Sequence, residues 1–263
     1  MVLALDLGTT VVKAAVVSAH GELLAWDSES QGLIFTPDGG VEQDPHVWWG
    51  TLTAVVHRLW QNAPELRHAI RAVSCTAQWS GTVAVDAAGE PLGNAIIWMD
   101  TRGAPDVAAL IGSFPSLRGY NLFRLRTWVR LTGGAPARSG KDPLAHILYL
   151  RRADPARYRA TFKFLEPKDY LNLRLTGRFA SSYETLALHW VTDNRDARRI
   201  DYHPTLLRYA GLRREQLPDL YPSTALLGEL LPAVAEAWGL PRGGGGGGGG
   251  ARPAPPPPPP PRQ

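Results

Sequence analysis

The sequence predicts an α/β protein whose mixed sheet opens with three antiparallel strands and is flanked by helices. Two observations carry this prediction. Three short β-rich runs, separated by turn residues, fill the start of the chain, and a capped helical pattern then leads into another apolar run. The order strand, strand, strand, helix, strand is typical of the opening of a layered α/β domain.

The three opening strands are predicted at Val2 to Leu7, Val11 to Ser18 and Glu22 to Asp27. A helix follows Asp44, which suits the N-cap position, with Pro45 in its first turn. The apolar residues of this helix recur at helical spacing and are expected to face the core: Val47, Trp48, Leu52, Val55, Val56 and Leu59.

The rest of the chain gives weaker signals. Further strands are expected within the apolar runs 70–77, 82–86 and 94–98. The later part is expected to be mostly helical, with helices after the pair Asp142-Pro143 and within 166–177, 202–212 and 231–241. The chain then ends in glycines 243–250 and prolines 255–261, which cannot form a packed core. We therefore expect a folded domain over 1–242 and a disordered tail over 243–263.

Composition narrows the functional class. The chain has 263 residues, of which 44% are hydrophobic and 20% charged, which is typical of a globular protein with a sizeable core. The single cysteine, Cys75, excludes an internal disulfide and favours a reducing compartment. No segment has membrane-spanning length, and Asp6 interrupts the N-terminal apolar run, so a signal peptide is not expected. The prediction is a cytoplasmic protein that contacts no membrane.

The net charge of +4 does not by itself indicate a nucleic-acid partner. Arg242, Arg252 and Arg262 lie in or beside the tail, and the other basic residues alternate with acids. A solvated surface is the simpler interpretation, and we expect no nucleic-acid binding.

The stretch LALDLGTTVVKAAVV, residues 3–17, predicts a phosphate-binding turn. Backbone N–H groups around Gly8 can converge on an anion, and Thr9 and Thr10 add hydroxyl groups. A carboxylate such as Asp6 would repel phosphate, so it suits this site only beside a cation such as Mg²⁺ carried by a nucleotide. Lys13, on the following strand, can reach back to the turn and supply a positive charge. An ordinary hairpin turn remains the alternative, because Asp and Gly favour turns in any case.

Four stretches in order resemble the FGGY-type carbohydrate kinases, which belong to the actin, hexokinase and heat-shock-chaperone ATPase superfamily with its ribonuclease-H-like fold. They are residues 3–17, 41–49, 75–103 and 167–185. The resemblance extends over about residues 1–242, and within the family it is greatest to xylulose kinases. It implies ATP-dependent phosphorylation of a sugar or polyol hydroxyl, with ATP and Mg²⁺ as cofactors; the oligomeric state stays open.

The resemblance also implies roles for individual residues. Asp6 would organise Mg²⁺ through water, and the ATP phosphates would contact Gly8, Thr9, Thr10 and Lys13. The sugar would contact Gln78, Trp79, Ser80, Asp100 and Arg102. Each has a plainer interpretation: Trp79 could be one core aromatic among nine tryptophans, and Asp100 with Arg102 could form a structural ion pair.

Two departures from the family matter. The common xylulose kinases carry Met-His and the glycerol kinases Arg-Glu where this chain has Trp79-Ser80, so the sugar is not determined. The stretch 181–196 also departs from the family pattern and has no assigned role.

The catalytic base of the family, an aspartate, would fall after residue 242, yet no acidic residue follows Glu236. The expectation is therefore an N-terminal lobe alone, with the second lobe missing, no catalytic residue of its own and no activity by itself. The alternative is a non-catalytic sugar- or nucleotide-binding remnant, or an interaction module with a proline-rich tail.

Overall fold

The structure, a computed structural model, describes residues 1–241. Its strands are β1 (Val2–Leu7), β2 (Val11–Val17), β3 (Leu23–Ser30), β4 (Ile34–Phe35), β5 (Val41–Gln43), β6 (Ala72–Ala77), β7 (Val83–Val85), β8 (Ala95–Ile96), β9 (Ser116–Leu117), β10 (Tyr120–Asn121), β11 (Lys163–Leu165), β12 (Ala180–Ser182), β13 (Thr192–Asp193), β14 (Asp201–Tyr202) and β15 (Asp219–Tyr221). Its α-helices are α1 (Pro45–Asn62), α2 (Ala104–Ile111), α3 (Leu122–Thr132), α4 (Pro143–Ala153), α5 (Pro155–Ala160), α6 (Pro167–Thr176), α7 (Pro204–Ala210) and α8 (Pro232–Ala237). Short 3₁₀ turns cover Pro64–Ala69, Thr185–His189 and Arg214–Gln216.

The main sheet has the strand order β3-β2-β1-β6. Strands β1, β2 and β3 pair antiparallel, and β6 joins β1 in parallel, so the sheet is mixed as predicted. Alternate residues of β1, namely Leu3, Leu5 and Leu7, are buried together with Val12 and Val16 of β2. This period of two places one apolar face of the sheet against the core.

Helix α1 covers that face and packs on β2 and β3. Asp44 caps the helix, since its Oδ1 accepts the N–H of His46 at 2.8 Å. The predicted core residues from Trp48 to Leu59 are buried, but Val47 is 53% exposed. Val47 precedes Trp48 by one position, which turns its side chain about 100° away on a helix, so the expectation for Val47 was wrong.

A second hydrophobic cluster lies behind β7, β8 and β11. Val83 and Val85 of β7 belong to the first cluster with α1, whereas Ala84 between them belongs to the second. The same alternation divides Ile96 from Ile97. These short strands are therefore buried on both faces, and they join the two cores into one body.

Helices in the later half depart in part from the expectation. Helix α6 ends at Gly177, as predicted, in the left-handed conformation with φ of 73°. Asp142 lies at the N-cap of α4 but does not cap it, because Oδ2 accepts from the N–H of Ala137 and from Nε1 of Trp190. Helix α3 was not predicted. It follows the N-cap Asn121 and buries only Trp128 and Leu131, too few apolar positions to mark a helical face.

Strand β6 pairs on one side only within residues 1–241. A groove of about 500 Å³ lies beside it, between α6, β12 and the loop 222–230. Cys75 lines this groove, and its Sγ donates to Oδ1 of Asn172 at 3.0 Å. Burial raises the pKa of this thiol to about 12, so it stays protonated.

The predicted disordered tail, 243–263, lies outside the described residues, and the domain boundary at 242 stays a prediction. Within residues 1–241, no helix is long and apolar enough to cross a membrane.

The Asp44→Ala variant is expected to lower the free energy of unfolding by about 1 kcal/mol, because the N–H of His46 then loses its capping acceptor. Urea denaturation measures this change. Val47→Ala on the same helix is the control and should change stability by less than about 0.5 kcal/mol, since the side chain is exposed. Equal effects of the two substitutions would contradict the capping role.

Candidate functional site

The turn between β1 and β2 brings the predicted phosphate-binding residues together. The N–H of Gly8 donates to the carbonyl of Val11 at 3.1 Å and closes the turn. A Cβ atom at Gly8 would lie only 2.7 Å from that carbonyl oxygen. Glycine is therefore required by close backbone approach at this position.

The turn itself carries backbone N–H groups that are free to donate hydrogen bonds to a ligand. Within the described chain, the N–H groups of Thr9 and Thr10 donate to no protein acceptor. The Nζ of Lys13 lies 2.8 Å from Oδ2 of Asp6, and both side chains are partly exposed. Lys13 and Asp6 are direct partners across β1 and β2, so the antiparallel register places their opposite charges side by side.

A chain of polar side chains connects the turn to the loop 78–81. Thr9 Oγ1 donates to Oε1 of Gln78 at 3.1 Å, and Nε2 of Gln78 donates to Oε1 of Gln43 at 2.7 Å. Nε2 of Gln43 in turn donates to the carbonyls of Thr9 and Gly32. Gln43 is almost fully buried. It was not predicted as a site residue, because its position in the sequence marks only the entry to α1.

Two tryptophans present indole surface near this polar chain. Trp98 Nε1 donates to Oγ1 of Thr9 at 3.0 Å, and Nζ of Lys141 lies 5.7 Å from the centre of the Trp98 ring. Trp79 Nε1 donates to the carbonyl of Thr185 at 3.4 Å. Trp79 is 53% exposed and Trp98 is 41% exposed, so neither indole is buried in a core.

Ser80 differs from Gln78 and Trp79 because it is buried. Its N–H donates to Oε2 of Glu166 at 2.9 Å, and its Oγ donates to the carbonyl of Lys141 at 2.7 Å. The hydroxyl that was predicted to contact the sugar thus has a protein partner.

Asp100 and Arg102 form the centre of a separate, largely buried ion cluster. Asp100 is 1% exposed, and its Oδ2 accepts the N–H of Val41 at 2.9 Å. Arg102 pairs with Asp100 at 2.8 Å, with Glu42 at 2.5 Å and with Asp38 at 3.0 Å. Their polar contacts within residues 1–241 do not include the loop 78–81, so direct contact with a sugar stays a prediction.

The outer end of this cluster is charged and solvated. Hydrogen bonds from Thr36, Arg102 and Tyr149 hold the pKa of Asp38 well below its ordinary value. The guanidinium of Arg102 also lies 4.5 Å from the centre of the Tyr149 ring. The cluster therefore fixes Arg102 from several sides.

Buried titratable groups lie behind the loop. Burial lowers the pKa of His146 to about 4 and that of His189 to about 3, so both imidazoles are neutral. Burial raises the pKa of Glu166 well above its ordinary value and that of Asp169 to about 7. None of these four residues was found in the sequence analysis, because isolated His, Glu and Asp residues carry no spacing signal.

The donor set at the turn fits a metal ion carried by a nucleotide. Within residues 1–241, no three His, Cys, Asp or Glu side chains come together as a metal site built by protein alone. Mg²⁺ bound to a nucleotide keeps several waters and takes only one or two protein carboxylates, and Asp6 supplies one beside the free N–H donors. Asp6, Thr9, Thr10 and Lys13 therefore suit a magnesium-bound polyphosphate.

Comparison with known proteins assigns the chain to a family. The sequence profile of the FGGY family of carbohydrate kinases, N-terminal domain, matches residues 1–245. The chain belongs to the FGGY family. The predicted ribonuclease-H-like α/β lobe with a mixed sheet is thereby confirmed.

Individual relatives of this FGGY domain support the same family assignment. The xylulose kinase of Escherichia coli K12 is 31% identical over 241 residues, which cover 91% of this chain and 46% of that protein. The xylulose kinase of Klebsiella pneumoniae is 30% identical, with 92% and 46% covered. The crystal structure of xylulose kinase from Rhodospirillum rubrum matches with a TM-score of 0.78 at 22% identity, over 92% of this chain and 46% of that one, and it shows the fold alone. The FGGY domain thus spans about half the length of the relatives it matches.

The predicted site residues form two groups in the structure. Asp6, Gly8, Thr9, Thr10 and Lys13 line one turn, and Gln78 and the start of loop 78–81 contact that turn through Thr9. Asp100 and Arg102 belong instead to the buried ion cluster. Gln43, Lys141 and Glu166 reach the site only through the fold. Trp98 lies two residues before Asp100, which was a predicted site residue.

The Arg102→Leu variant is expected to destabilise the FGGY domain by about 3–5 kcal/mol, because the buried Asp100 carboxylate loses its counter-charge. Chemical denaturation measures the loss. Asp38→Asn is the control, since it removes only the exposed partner of Arg102, and it should shift the midpoint far less. A midpoint for Arg102→Leu near that of the wild type would contradict the cluster as a stabilising element.

The His146→Gln variant is expected to change the pH dependence of stability. Burial lowers the pKa of His146 from 6.5 to about 4, so between these values the unfolded chain binds a proton that the native state does not. The unfolding free energy of the wild type should therefore fall relative to that of the variant as the pH drops from 6.5 to 4. Urea denaturation at several pH values measures the difference, and a constant difference would contradict the buried neutral imidazole.

Proposed function

We propose that the FGGY domain binds the phosphates of magnesium-ATP at the β1–β2 turn and a sugar or polyol at the loop 78–81, as one half of a sugar kinase. The reaction class is transfer of the terminal phosphoryl group of ATP to a substrate hydroxyl. Phosphoryl transfer depends mainly on positioning and charge neutralisation, and both depend on the distance between the two binding places.

The observation that carries the proposal is the hydrogen bond between Thr9 and Gln78. It joins the proposed phosphate turn directly to the proposed sugar loop at 3.1 Å between Oγ1 and Oε1. A phosphate held at Thr9 and a hydroxyl held at Gln78 would then be neighbours. An ordinary hairpin turn would not require this contact.

The residues of the turn have distinct parts in this proposal. The free N–H groups of Thr9 and Thr10 bind phosphate oxygens, and Lys13 neutralises phosphate charge. Asp6 orients a magnesium ion through water, and Lys13, now its partner at 2.8 Å, is shared between Asp6 and the phosphates. Bound magnesium would supply further neutralisation of the charge on the transferred group.

The sugar loop offers an amide and an indole. Gln78 can hydrogen-bond a hydroxyl with the remaining capacity of its amide oxygen, and the exposed Trp79 ring can pack on the weakly apolar face of a sugar. Ser80 contributes by fixing the loop through its buried partners, Glu166 and the carbonyl of Lys141. In this proposal Asp100 and Arg102 support the sugar loop indirectly. Asp100 accepts a hydrogen bond from the backbone of β5, and β5 carries Gln43, which accepts from Gln78.

Xylulose is the first candidate substrate, because the relatives from E. coli and K. pneumoniae are xylulose kinases. Trp79-Ser80 replaces the Met-His pair of the common xylulose kinases, so ribulose and glycerol are tested beside it. The catalytic base of the family would fall after residue 242, and the 263-residue chain by itself is therefore not expected to phosphorylate any of the three.

Binding by the 263-residue chain tests the proposal. With 5-fluorotryptophan incorporated, ¹⁹F NMR is expected to show a shift of the Trp79 resonance, assigned from Trp79→Phe, on addition of one of the three substrates. Amide spectra are expected to show shifts at Thr9 and Thr10 with magnesium-ATP, and Asp6→Asn should weaken this binding because it removes the carboxylate beside the metal. Asp86→Asn, at the first residue of the separate turn 86–90, is the matched control.

Three outcomes are decisive. Sugar and nucleotide shifts together support the kinase half. Shifts with neither ligand contradict it and favour an interaction module. Turnover of xylulose by the 263-residue chain alone would show that the catalytic base lies within these residues, against the expectation above.

A further inference from the structure

The loop 78–81 contains a residue in an unfavourable backbone conformation. Ser80 has φ of 62°, in the left-handed region, although it is neither glycine nor asparagine. Such residues are disfavoured by roughly a factor of ten in population and persist where the surroundings hold them. Ser80 directly follows Trp79, so its φ angle sets how Trp79 is oriented relative to the chain that continues into β7.

Glu166 supplies a buried acceptor that holds this conformation. It lies between β11 and α6, is 1% exposed, and accepts the Ser80 N–H at Oε2. Its capping interaction with Asp169, whose Oδ2 accepts the N–H of Glu166 at 3.3 Å, fixes it at the start of α6. The carboxyl group of Glu166 is thus held in place and removed from solvent.

The next residue of the loop also packs on this place. A Cβ atom at Gly81 would lie 2.6 Å from Cγ of Pro167, the neighbour of Glu166. The loop therefore approaches the start of α6 as closely as a glycine allows, independently of the hydrogen bond from Ser80.

The same glutamate faces the stretch 181–196, which had no assigned role. Oε1 of Glu166 lies 3.7 Å from Nδ1 of His189, and neither atom has a hydrogen-bond partner within residues 1–241. Burial keeps the pKa of Glu166 high and that of His189 low, so the two are neutral together. The 3₁₀ turn that ends at His189 begins at Thr185, whose carbonyl accepts from Trp79 Nε1. The turn 185–189 thus holds Trp79, and Glu166, which faces that turn, holds Ser80.

We propose that Glu166 is a positioning residue for the sugar-binding loop: by accepting the Ser80 N–H from the start of α6, it fixes the left-handed turn that presents Trp79 to the substrate. This inference deepens the proposed function and rests on it for the identity of the ligand. Without the acceptor, Ser80 relaxes toward an extended conformation. The loop conformation that binds sugar then makes up only a small fraction of the molecules.

Two substitutions of similar size separate positioning from packing. Glu166→Gln keeps an acceptor for Ser80 and a neutral side chain, whereas Glu166→Leu keeps the volume and removes the acceptor. In the ligand-free protein, Glu166→Leu is expected to shift the Ser80 amide resonance, abolish its protection from hydrogen exchange and move the Trp79 ¹⁹F resonance. Glu166→Gln is expected to leave all three near the wild type.

Sugar affinity provides the second readout. Glu166→Leu should weaken binding of the sugar that binds the wild type by about tenfold, because the left-handed turn is disfavoured by roughly that factor. Glu166→Gln should stay within about twofold, and the magnesium-ATP shift at Thr10 should be the same in all three proteins. Wild-type affinity and an unmoved Ser80 amide in Glu166→Leu would overturn the proposal.

Two further results keep the test decisive. If Glu166→Leu does not fold, Glu166→Met takes its place, because it also removes the acceptor and keeps a similar volume; loss of the Ser80 protection and of sugar binding supports the proposal, and their retention overturns it. If the wild type binds none of the sugars, the proposed function fails, and the Ser80 and Trp79 resonances of Glu166→Leu still decide whether Glu166 positions the loop.

Discussion

The parallel pairing of β1 with β6 is the constraint on which the site depends. Leu7 and Ala77 are partners at the ends of these strands, and the N–H of Gln78 continues the pairing with the carbonyl of Leu7 at 2.7 Å. Parallel strands end at the same edge of a sheet, so the turn after β1 and the loop after β6 leave it side by side. A slip of one residue would reverse the faces of β6 and separate Thr9 from Gln78.

Buried polar groups then fix the loops that this edge presents. Burying charge is unfavourable unless it is paired, and Arg102 satisfies Asp100 while Asp100 holds the backbone of β5. Burial raises the pKa of Glu166 and so favours its uncharged, protonated form. Its Oε2 still accepts the hydrogen bond from the N–H of Ser80. Glu166 thus holds a loop conformation that the local sequence does not favour, and Asp100 holds the start of strand β5.

The two hydrophobic clusters make this support rigid. The loop 78–81 leaves β6, which borders the first cluster, and enters β7, whose alternate residues belong to both clusters. Val83 and Ala84 therefore fix the end of the loop against opposite layers. Helix α6, which begins beside Glu166, packs on β6 and contributes Tyr170 and Leu171 to the first cluster, so the acceptor and the loop belong to the same body.

The sequence alone determined the features that depend on neighbours along the chain. Strands β1 to β3, the cap at Asp44, the end of α6 at Gly177 and the turn at Gly8 follow from periodicity, capping and backbone freedom, which are local properties. Tertiary structure alone decided the pairs Thr9 with Gln78, Gln78 with Gln43 and Ser80 with Glu166, which are separated by 69, 35 and 86 residues. It also decided that Asp100 and Arg102 satisfy each other inside an ion cluster. The physical reason is that such contacts arise when strands and helices pack, and no spacing along the chain records which polar groups the packing will bring together.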